Sequence, residues 1–357
     1  MPFASVTKLL DGFSRQGRDL MRRYAAFAMP DRSAKAVESP FEQLRQLAGA
    51  LLSGRGEASG VALATDLLAL FESAPAVDRL AFYDMLARDF GPDRAALQLA
   101  WTRYQADGDS ALPGLVSAVE APRQELFRRI NLAPGGTAAL VRMRADLLGR
   151  MKSAAGALAA VDADLVHLLQ SWFNRGFLTM AQIDWSSPAS LLERVIRYEA
   201  VHDIRDWADL RGRLAPADRR CFAFFHPAMP GEPLIFVEVA LTRDVADSIQ
   251  AILRADRPVL DAEAAETAIF YSISNCQPGL RGISFGHFLI KQVATDLKRA
   301  LPNLKRFATL SPIPGFRAWL RRLAAETDAR LDAGDWWTGE GEAALRTALM
   351  AQAADYS

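Results

Sequence analysis

The second half of the chain contains a segment whose residue types suit phosphate binding. Residues 277–286 include three glycines, with Arg281 and Ser284 between them, and an apolar pattern typical of a helix follows. Glycine lets the backbone approach a ligand closely, and the first turn of a helix presents unpaired N–H groups and the positive end of its dipole. The segment is therefore a candidate phosphate-binding loop, with Arg281 as a charged donor. A plain turn before a helix is the alternative.

A second segment presents one hydroxyl group in a stiff turn. Ser311 follows a stretch of strand-forming residues, and prolines at positions 312 and 314 fix the backbone after it. A serine at the end of a strand points toward the region where open sheets bind ligands. The alternative is an ordinary Ser-Pro loop that ends a strand, and residue chemistry alone favours that simpler interpretation.

Composition limits the class of protein. The 357 residues are 50% hydrophobic and 24% charged, which is enough to bury a sizeable core, and the length indicates two domains. The 42 basic residues balance the 42 acidic ones, so the chain lacks the positive charge typical of nucleic-acid binding. No apolar run is long enough to span a membrane. We therefore predict a globular protein with neither nucleic-acid nor membrane partners.

The cysteines and the N-terminal segment bear on location. Cys221 and Cys276 have neither the spacing of a zinc site nor that of a disulfide framework, so we predict buried thiols, no metal and a cytoplasmic location. Residues 1–30 are basic and amphipathic, a pattern also found in organellar transit peptides. Two aspartates among them favour a first structural helix instead.

The first half of the chain is predicted to be a bundle of helices. Apolar residues recur there at helical spacing, and clusters of glycine, proline and aspartate separate the stretches. Thr137 is predicted to cap one helix and Gly176 to end the last, so we place a domain boundary after Gly176. The apolar positions are Leu63, Leu67, Leu70, Phe71, Phe82, Met85, Leu86, Leu97, Trp101, Tyr104, Leu140, Leu147, Leu165, Leu168, Leu169, Trp172 and Phe173.

Residues 177–357 are predicted to form a mixed α/β domain, which makes the whole chain α+β. The order is helix, strand, strand, helix, strand, loop, helix, strand, helix. The candidate loop lies between the third strand and its helix, and Ser311 ends the fourth strand. The predicted strands are residues 221–226, 234–241, 267–274 and 307–310; the predicted helices include one opened by Ser187 and Pro188, one at 245–253, and two in the tail near 319–323 and 342–353.

Six separated parts of the chain, from about residue 120 onward, resemble the malonyl-CoA decarboxylase family and follow its order. They include Arg-Gly-Ile-Ser-Phe-Gly and Ser-Pro-Ile-Pro-Gly-Phe, and they are residues 121–137, 198–202, 230–234, 268–274, 281–286 and 311–316. The resemblance implies that residues 1–176 are an α-helical oligomerisation domain of a homotetramer. It implies that residues 177–357 are a catalytic, CoA-binding domain of the N-acetyltransferase (GNAT) superfamily.

The resemblance also implies a lyase of fatty acid metabolism that converts malonyl-CoA to acetyl-CoA and CO2. Loss of CO2 leaves an enolate that is then protonated, and no cofactor is needed because coenzyme A is part of the substrate. The family's last strands and catalytic histidine are expected in a C-terminal portion beyond this sequence. One alternative is therefore a catalytically silent fragment that binds CoA and oligomerises. A GNAT-type acyltransferase is another, although no acceptor site can be identified.

By the same resemblance, the site has two parts, a CoA-binding loop and a catalytic Ser311 beside the malonyl group. Ser284 stands where relatives are expected to carry an acidic residue, so only the backbone contacts of that position are expected to carry over. His226 is a candidate substitute for the family's histidine, but a structural role is favoured for it. His287 is expected to cap the CoA helix. The implied CoA-binding residues are Arg281, Gly282, Ile283, Ser284, Phe285, Gly286, His287 and Ser311.

Overall fold

A computed structural model describes residues 38–53, 57–151, 156–283, 286–312, 315, 316, 318, 319 and 322. The chain divides into two compact units, Met1–Leu169 and Gln170–Ser357. The predicted domain boundary after Gly176 lies a few residues beyond this division. The predicted helices at 1–30, 319–323 and 342–353 fall wholly or largely outside the described residues.

Helices make up the described part of the first unit, which confirms the predicted helical N-terminal region. Ser39 opens the first helix, where its hydroxyl accepts a hydrogen bond from the Glu42 N–H at 3.2 Å. The last helix runs on into the second unit. The helices are α1 Pro40–Leu52, α2 Glu57–Ser73, α3 Ala76–Arg88, α4 Arg94–Asp107, α5 Leu112–Val119, α6 Pro122–Asn131, α7 Gly136–Met151 and α8 Ala157–Trp172.

The core of the first unit lies among α1, α2, α3, α6, α7 and α8. Phe82 and Tyr83 are fully buried there, and the ring of Phe71 lies 5.8 Å and 5.7 Å from theirs. The Tyr83 hydroxyl donates to the Met143 carbonyl oxygen at 2.8 Å, so this buried phenol has a partner. Two of these three aromatic residues, Phe71 and Phe82, are at positions that the helical spacing predicts, whereas Tyr83 is not.

The hairpin of α4 and α5 differs from the rest of the bundle because none of its residues is buried. Trp101 and Tyr104 belong to a predicted apolar stripe, yet these rings contact each other at 6.0 Å between centroids while Trp101 remains exposed. The large exposed side chains of the hairpin are Leu99, Trp101, Leu112, Val116 and Val119. This stripe is helical in period but is not part of the described core.

Two predicted helix ends are wrong in detail. Gly176 does not end α8, which stops at Trp172; it lies in a 3-10 turn where its N–H donates to Asn174 Oδ1 at 2.9 Å. Thr137 lies inside α7, and its hydroxyl donates to Asn131 Oδ1 at 2.7 Å. The helix begins one residue earlier, at Gly136, where the chain passes the Ile130 carbonyl group too closely for a Cβ atom.

A five-stranded mixed sheet forms the centre of the second unit and confirms the α+β class. Its strands lie in chain order, antiparallel from the first to the fourth, whereas the fifth runs parallel to the fourth. They are β1 Thr179–Ile183, β2 Arg219–Phe225, β3 Pro233–Thr242, β4 Thr267–Asn275 and β5 Arg306–Thr309. The helices are α9 Ala189–Tyr198, α10 Trp207–Leu214, α11 Ile249–Leu253 and α12 Gly286–Ala300.

The sequence prediction for this unit missed β1 and α10 and made α11 too long. Only Ile183 of the five β1 residues is buried, so the strand lacks an apolar run. A capping residue begins each of the two helices: Asp206 accepts from the Asp209 N–H at 2.8 Å, and Ser248 accepts from the Ala251 N–H at 3.4 Å. These caps explain why α11 starts at Ile249 and not at residue 245.

The close passage of Gly136 past Ile130 can be tested by substitution. An added Cβ would lie 2.2 Å from the Ile130 carbonyl oxygen, so we expect Gly136→Ala to lower the free energy of unfolding by about 1–3 kcal/mol. Gly149, in the same helix, has open space at its Cβ position, and Gly149→Ala should be neutral or stabilising. Denaturant unfolding of the two variants measures the difference, and equal effects would contradict it.

Candidate active site

The parallel strands β4 and β5 separate halfway along β4. Their register joins Thr267–Phe270 of β4 to the whole of β5, and the last bond runs from the Leu310 N–H to the Phe270 carbonyl oxygen at 2.9 Å. β4 continues to Asn275, paired with β3. An opening at the carboxyl ends of adjacent parallel strands is where open α/β sheets bind ligands. We call this opening the β4/β5 cleft.

The predicted phosphate loop follows β4 directly. Residues Pro278–Leu280 form a 3-10 turn, and the Ile283 N–H donates to the Leu280 carbonyl oxygen at 3.0 Å. Gly282 has φ +82°, a left-handed conformation that glycine adopts without strain, and no atom of the described residues lies within 4 Å of its missing Cβ. As far as those residues go, the backbone at Gly282 is open to a ligand. Arg281 is exposed beside it, whereas Ile283 is buried.

Helix α12 begins at Gly286, a few residues after this turn. It spans 15 residues, and its buried stripe of Leu289, Val293 and Leu297 fixes it to the unit. An anion at its first turn would meet free N–H groups and the positive end of the helix dipole. Of the other predicted loop residues, Ser284, Phe285 and the side chain of His287 lie outside the described part of the structure.

Ser311 lies at the carboxyl end of β5. It follows Leu310, the residue that makes the last bond to β4, and both Ser311 and Pro312 are exposed. Since β4 and β5 are adjacent and parallel, the loop after β4 and Ser311 after β5 lie at the same end of the sheet. Arg281, Gly282 and Ser311 thus all follow the carboxyl ends of these two strands.

His226 lies elsewhere, at the end of β2, and β3 and β4 separate that strand from β5. Its Nε2 lies 3.0 Å from the Trp172 carbonyl oxygen, and its Nδ1 accepts from the Ala228 N–H at 3.1 Å. The Phe173 ring packs 4.7 Å away, and burial lowers the pKa of His226, so the ring is neutral near pH 7. Backbone groups thus bind both ring nitrogens, and this histidine ties β2 to the end of α8.

Both cysteines are buried and neither forms a disulfide. Cys221 lies on β2 and Cys276 follows β4. Burial raises the pKa of each thiol well above its ordinary value, so both stay protonated and unreactive.

A buried polar cluster lies on β3, β4 and the chain around α9 and α10, and none of its residues was a predicted site residue. Glu238 of β3 is completely buried, and Glu199, which follows α9, accepts hydrogen bonds from the hydroxyl groups of Ser272 and Ser274. The available signal was a single acidic residue, Glu238, inside the apolar run of β3. A charge-bearing residue in such a run indicates a buried partner or function.

Within the described ranges, no helix combines the length and apolar character needed to cross a membrane. In the same ranges, no three His, Cys, Asp or Glu side chains come together in a way that could hold a metal ion.

Known protein families match both parts of the chain. Residues 90–173 match the malonyl-CoA decarboxylase N-terminal domain, and residues 176–356 match the malonyl-CoA decarboxylase C-terminal domain.

Solved and curated relatives carry the same name. The malonyl-CoA decarboxylase structure from Rhodopseudomonas palustris is 51% identical, with 89% of this chain and 80% of that chain covered and a TM-score of 0.77. The one from Agrobacterium vitis is 54% identical, with 78% and 68% covered and a TM-score of 0.75. The mitochondrial malonyl-CoA decarboxylase of Mus musculus is 35% identical over 85% of this chain.

The match covers 63% of the mouse protein. The mitochondrial malonyl-CoA decarboxylase of Anser anser anser is 39% identical, and that match covers 71% of this chain and 53% of the goose protein. It thus spans less than two thirds of these curated relatives. The match nevertheless extends over both domains of the family and most of the residues of this chain. The chain belongs to the malonyl-CoA decarboxylase family.

Proposed function

We propose that the protein decarboxylates malonyl-CoA to acetyl-CoA and CO2. The observation that carries this proposal is the β4/β5 cleft, because the glycine-bearing loop and its helix follow β4 and Ser311 follows β5. This arrangement suits a substrate with a phosphorylated carrier and a small acyl group. The reaction calls for neither metal nor organic cofactor, because the thioester itself accepts the electron pair that CO2 leaves behind.

The carrier would bind along the loop that follows β4. The open backbone at Gly282 lets phosphate oxygens approach N–H groups, and the first turn of α12 adds further donors and a favourable dipole. Arg281, exposed next to Gly282, would supply a planar charged donor. We assign the pyrophosphate of CoA to this loop, with residues 281–287 as its binding residues.

Ser311 would act on the acyl group. When the carboxylate leaves, negative charge develops on the thioester oxygen, and a hydroxyl donor placed there stabilises the transition state. The same hydroxyl can orient the departing carboxylate. Protonation of the α-carbon needs a separate acid, because an alcohol is a poor proton donor to carbon. His226 does not fill that role, since it is bonded to backbone groups at the end of β2.

Substitution of Ser311 tests this assignment. We expect Ser311→Ala to lower kcat by about 10²-fold or more, with a smaller change in KM, because the lost donor acts mainly on the transition state. Ser186→Ala is a matched control in an exposed loop after β1. Release of CO2 and formation of acetyl-CoA should be measured for this 357-residue chain and for the full product of its gene.

The two assays separate the competing functions. Retention of full activity by Ser311→Ala would contradict its catalytic role. If neither wild-type form releases CO2 while CoA still binds, the protein is a catalytically silent CoA-binding module. Family membership gives decarboxylation precedence over acyl transfer to a second substrate.

A charge reversal in the loop tests the CoA site without reference to catalysis. We expect Arg281→Glu to raise the Kd for CoA by about tenfold or more, since a charge-assisted hydrogen bond to phosphate is lost and a repulsion is added. Arg299→Glu, at the exposed opposite end of α12, is the control. Calorimetric titration with CoA measures both, and an unchanged Kd for Arg281→Glu would rule out direct phosphate contact by that side chain.

We propose that the helical hairpin of α4 and α5 contacts a second copy of the chain in a homo-oligomer, with a tetramer as the expected assembly. No residue of either helix is buried, and large apolar side chains such as Leu99 and Val116 face out. Several exposed apolar side chains on one hairpin are typical of an interaction surface, and self-association usually gives closed symmetric assemblies.

A charged substitution on the hairpin tests this surface. We expect Val116→Glu to reduce the mass of the particle, measured by light scattering after gel filtration, because an unpaired carboxylate in an apolar interface is costly. Val77→Glu is the control, since Val77 is also exposed but lies on α3. An unchanged mass for Val116→Glu would contradict the proposed interface.

We propose a cytoplasmic location on the basis of the two unpaired thiols, which are typical of a reducing compartment. The mouse and goose relatives are mitochondrial by name.

A further inference from the structure

A cavity of about 220 Å³ lies between α10 and the chain that follows α11. Two of its lining residues, Arg219 of β2 and Ile252 of α11, are buried, whereas Ala208 and Gly212 of α10 are exposed. In the described part of the chain, the cavity therefore reaches from the surface to the start of β2. Drug-sized ligands occupy pockets of roughly 300 Å³ or more, so this cavity suits an ion or a small metabolite.

Arginine is the most frequent residue type in the lining. Two aspartates accompany the arginines, and one of them, Asp206, already accepts the Asp209 N–H at 2.8 Å as the cap of α10. The wall of the cavity is therefore predominantly positive, which favours an anion as its ligand. The five lining arginines are Arg205, Arg213, Arg219, Arg254 and Arg257.

Some of these arginines have acidic partners of their own. Arg254 donates to Asp256 at 2.7 Å and 2.9 Å, and Arg213 donates to Asp209 at 3.2 Å and to Glu238 at 3.3 Å. Despite burial, Glu238 and Asp209 raise the pKa of Arg213, as expected for a paired guanidinium group. The positive charge that could attract a ligand must come from the other arginines.

Arg219 and Arg257 share a single carboxylate, that of Asp218. Arg257 holds it with two hydrogen bonds of 2.5 Å and 3.0 Å, and the Leu260 N–H adds a third of 3.1 Å. The Nη1 of Arg219 lies 3.5 Å from this carboxylate, and the shorter bonds of Arg219 go to the backbone carbonyl oxygens of Asp218 at 3.0 Å and Ile252 at 2.6 Å. One negative charge thus serves two largely buried guanidinium groups.

The charge of Arg219 is undercompensated as a result. Burial lowers its pKa and the like charge of Arg257 adds to that effect, in contrast to the raised pKa of Arg213. An uncompensated buried charge destabilises a fold, so an anion beside Arg219 would offset that cost. Each Nη atom of a guanidinium group carries two hydrogens, so the two backbone bonds leave Arg219 with further donors.

The cavity lies at the opposite end of the sheet from the proposed CoA loop. Arg219 begins β2 and pairs with Ala240 near the end of β3, which pairs with Ile269 near the start of β4. The loop follows Asn275 at the other end of β4, about 20 Å of strand away. A ligand bound in the cavity is therefore distinct from the substrate, and its binding does not depend on the proposed decarboxylation.

We propose that this cavity is a second ligand site, which binds a small oxyanion of the phosphate or dicarboxylate class with Arg219 and Arg257 as its buried donors. The planar fork of a guanidinium group matches the oxygen spacing of both classes. Arg205, whose side chain is 80% exposed, would meet the ligand at the mouth of the cavity. Since Arg219 also holds the Ile252 carbonyl group, the anion would fasten the chain around α11 to the start of β2.

Titration with small anions tests the site directly. The 357-residue chain is titrated by calorimetry with inorganic phosphate and separately with succinate, at an ionic strength held constant with sodium chloride. We expect saturable binding of at least one, and the tighter of the two identifies the ligand class. The same anion should raise the thermal unfolding midpoint as its concentration rises, because it binds the folded chain. Absence of binding by both anions would overturn the proposal.

Gly212 allows the cavity to be filled while its arginines stay in place. No atom of the described residues lies within 4 Å of a Cβ added there. We expect Gly212→Glu to raise the Kd for the anion by about tenfold or more, because the new carboxylate repels the ligand and competes for its donors. Gly212→Ala adds only a methyl group, and Gly149→Glu places the same charge on α7, where the Cβ position is also open. Both controls should keep the wild-type Kd, and an equally unchanged Kd for Gly212→Glu would contradict binding in the cavity.

An exposed arginine gives a second test that leaves the buried network intact. We expect Arg205→Ala to raise the Kd by about two- to fivefold, the effect of a solvent-exposed charge. Arg211→Ala is the matched control, since Arg211 lies on α10 but stacks over the Trp185 ring, 5.7 Å from its centroid. Equal Kd values for these two variants would exclude Arg205 from the site.

The loop after β4 is the other place where phosphate could bind, so the titration is repeated with Arg281→Glu. Binding that persists in Arg281→Glu and is lost in Gly212→Glu supports the cavity site. The reverse pattern would assign the phosphate to the loop and refute the cavity site, while it supported the proposed CoA site. The two proposals can therefore fail independently.

Discussion

The limited pairing between β4 and β5 is the constraint on which the second unit depends. At its start, Arg306 donates from its backbone to Glu266 at 3.1 Å and from its Nε to Thr267 at 3.0 Å. At its end, the bond to Phe270 closes the ladder, and in the described part of the chain the rest of β4 pairs with β3. Because the two strands are parallel, α12 must carry the chain back along the sheet, so the loop after β4 and Ser311 after β5 necessarily share one end. The topology of the sheet thus determines where the candidate site lies, whatever side chains it carries.

Much of this topology could be predicted from the sequence for the strands that are buried on both faces of the sheet. β3 and β4 are apolar runs bounded by turn residues, and both were placed within two residues of their observed ends. β1 could not be found in that way, since it is an edge strand with one buried residue, and α10 depends on a side-chain cap at Asp206 more than on an apolar period. The apolar stripe of α4 was predicted from its helical period, yet none of its residues is buried. The period alone does not determine whether a stripe packs against the chain's own core.

In the candidate site, too, some features could be predicted from the sequence and others could not. The loop could be predicted because a glycine at φ +82° leaves its mark in the residue type, and Ser311 because prolines stiffen the chain after it. The buried polar cluster around Glu238 could not, since its residues meet only through the way in which β3 and β4 pair. Register across a sheet is a tertiary property. An acidic residue in an apolar run shows only that a buried partner for it must exist, not which residue that partner is.

The sheet is also graded in burial from its centre to this edge. Nine of the ten β3 residues are buried, whereas none of the four β5 residues is. Native proteins open first where few buried contacts hold a segment, so amide hydrogens of β5 should exchange with solvent long before those of β3. The residue proposed for chemistry is therefore attached to the least buried strand of the sheet, an edge that can open locally while the centre of the unit stays folded.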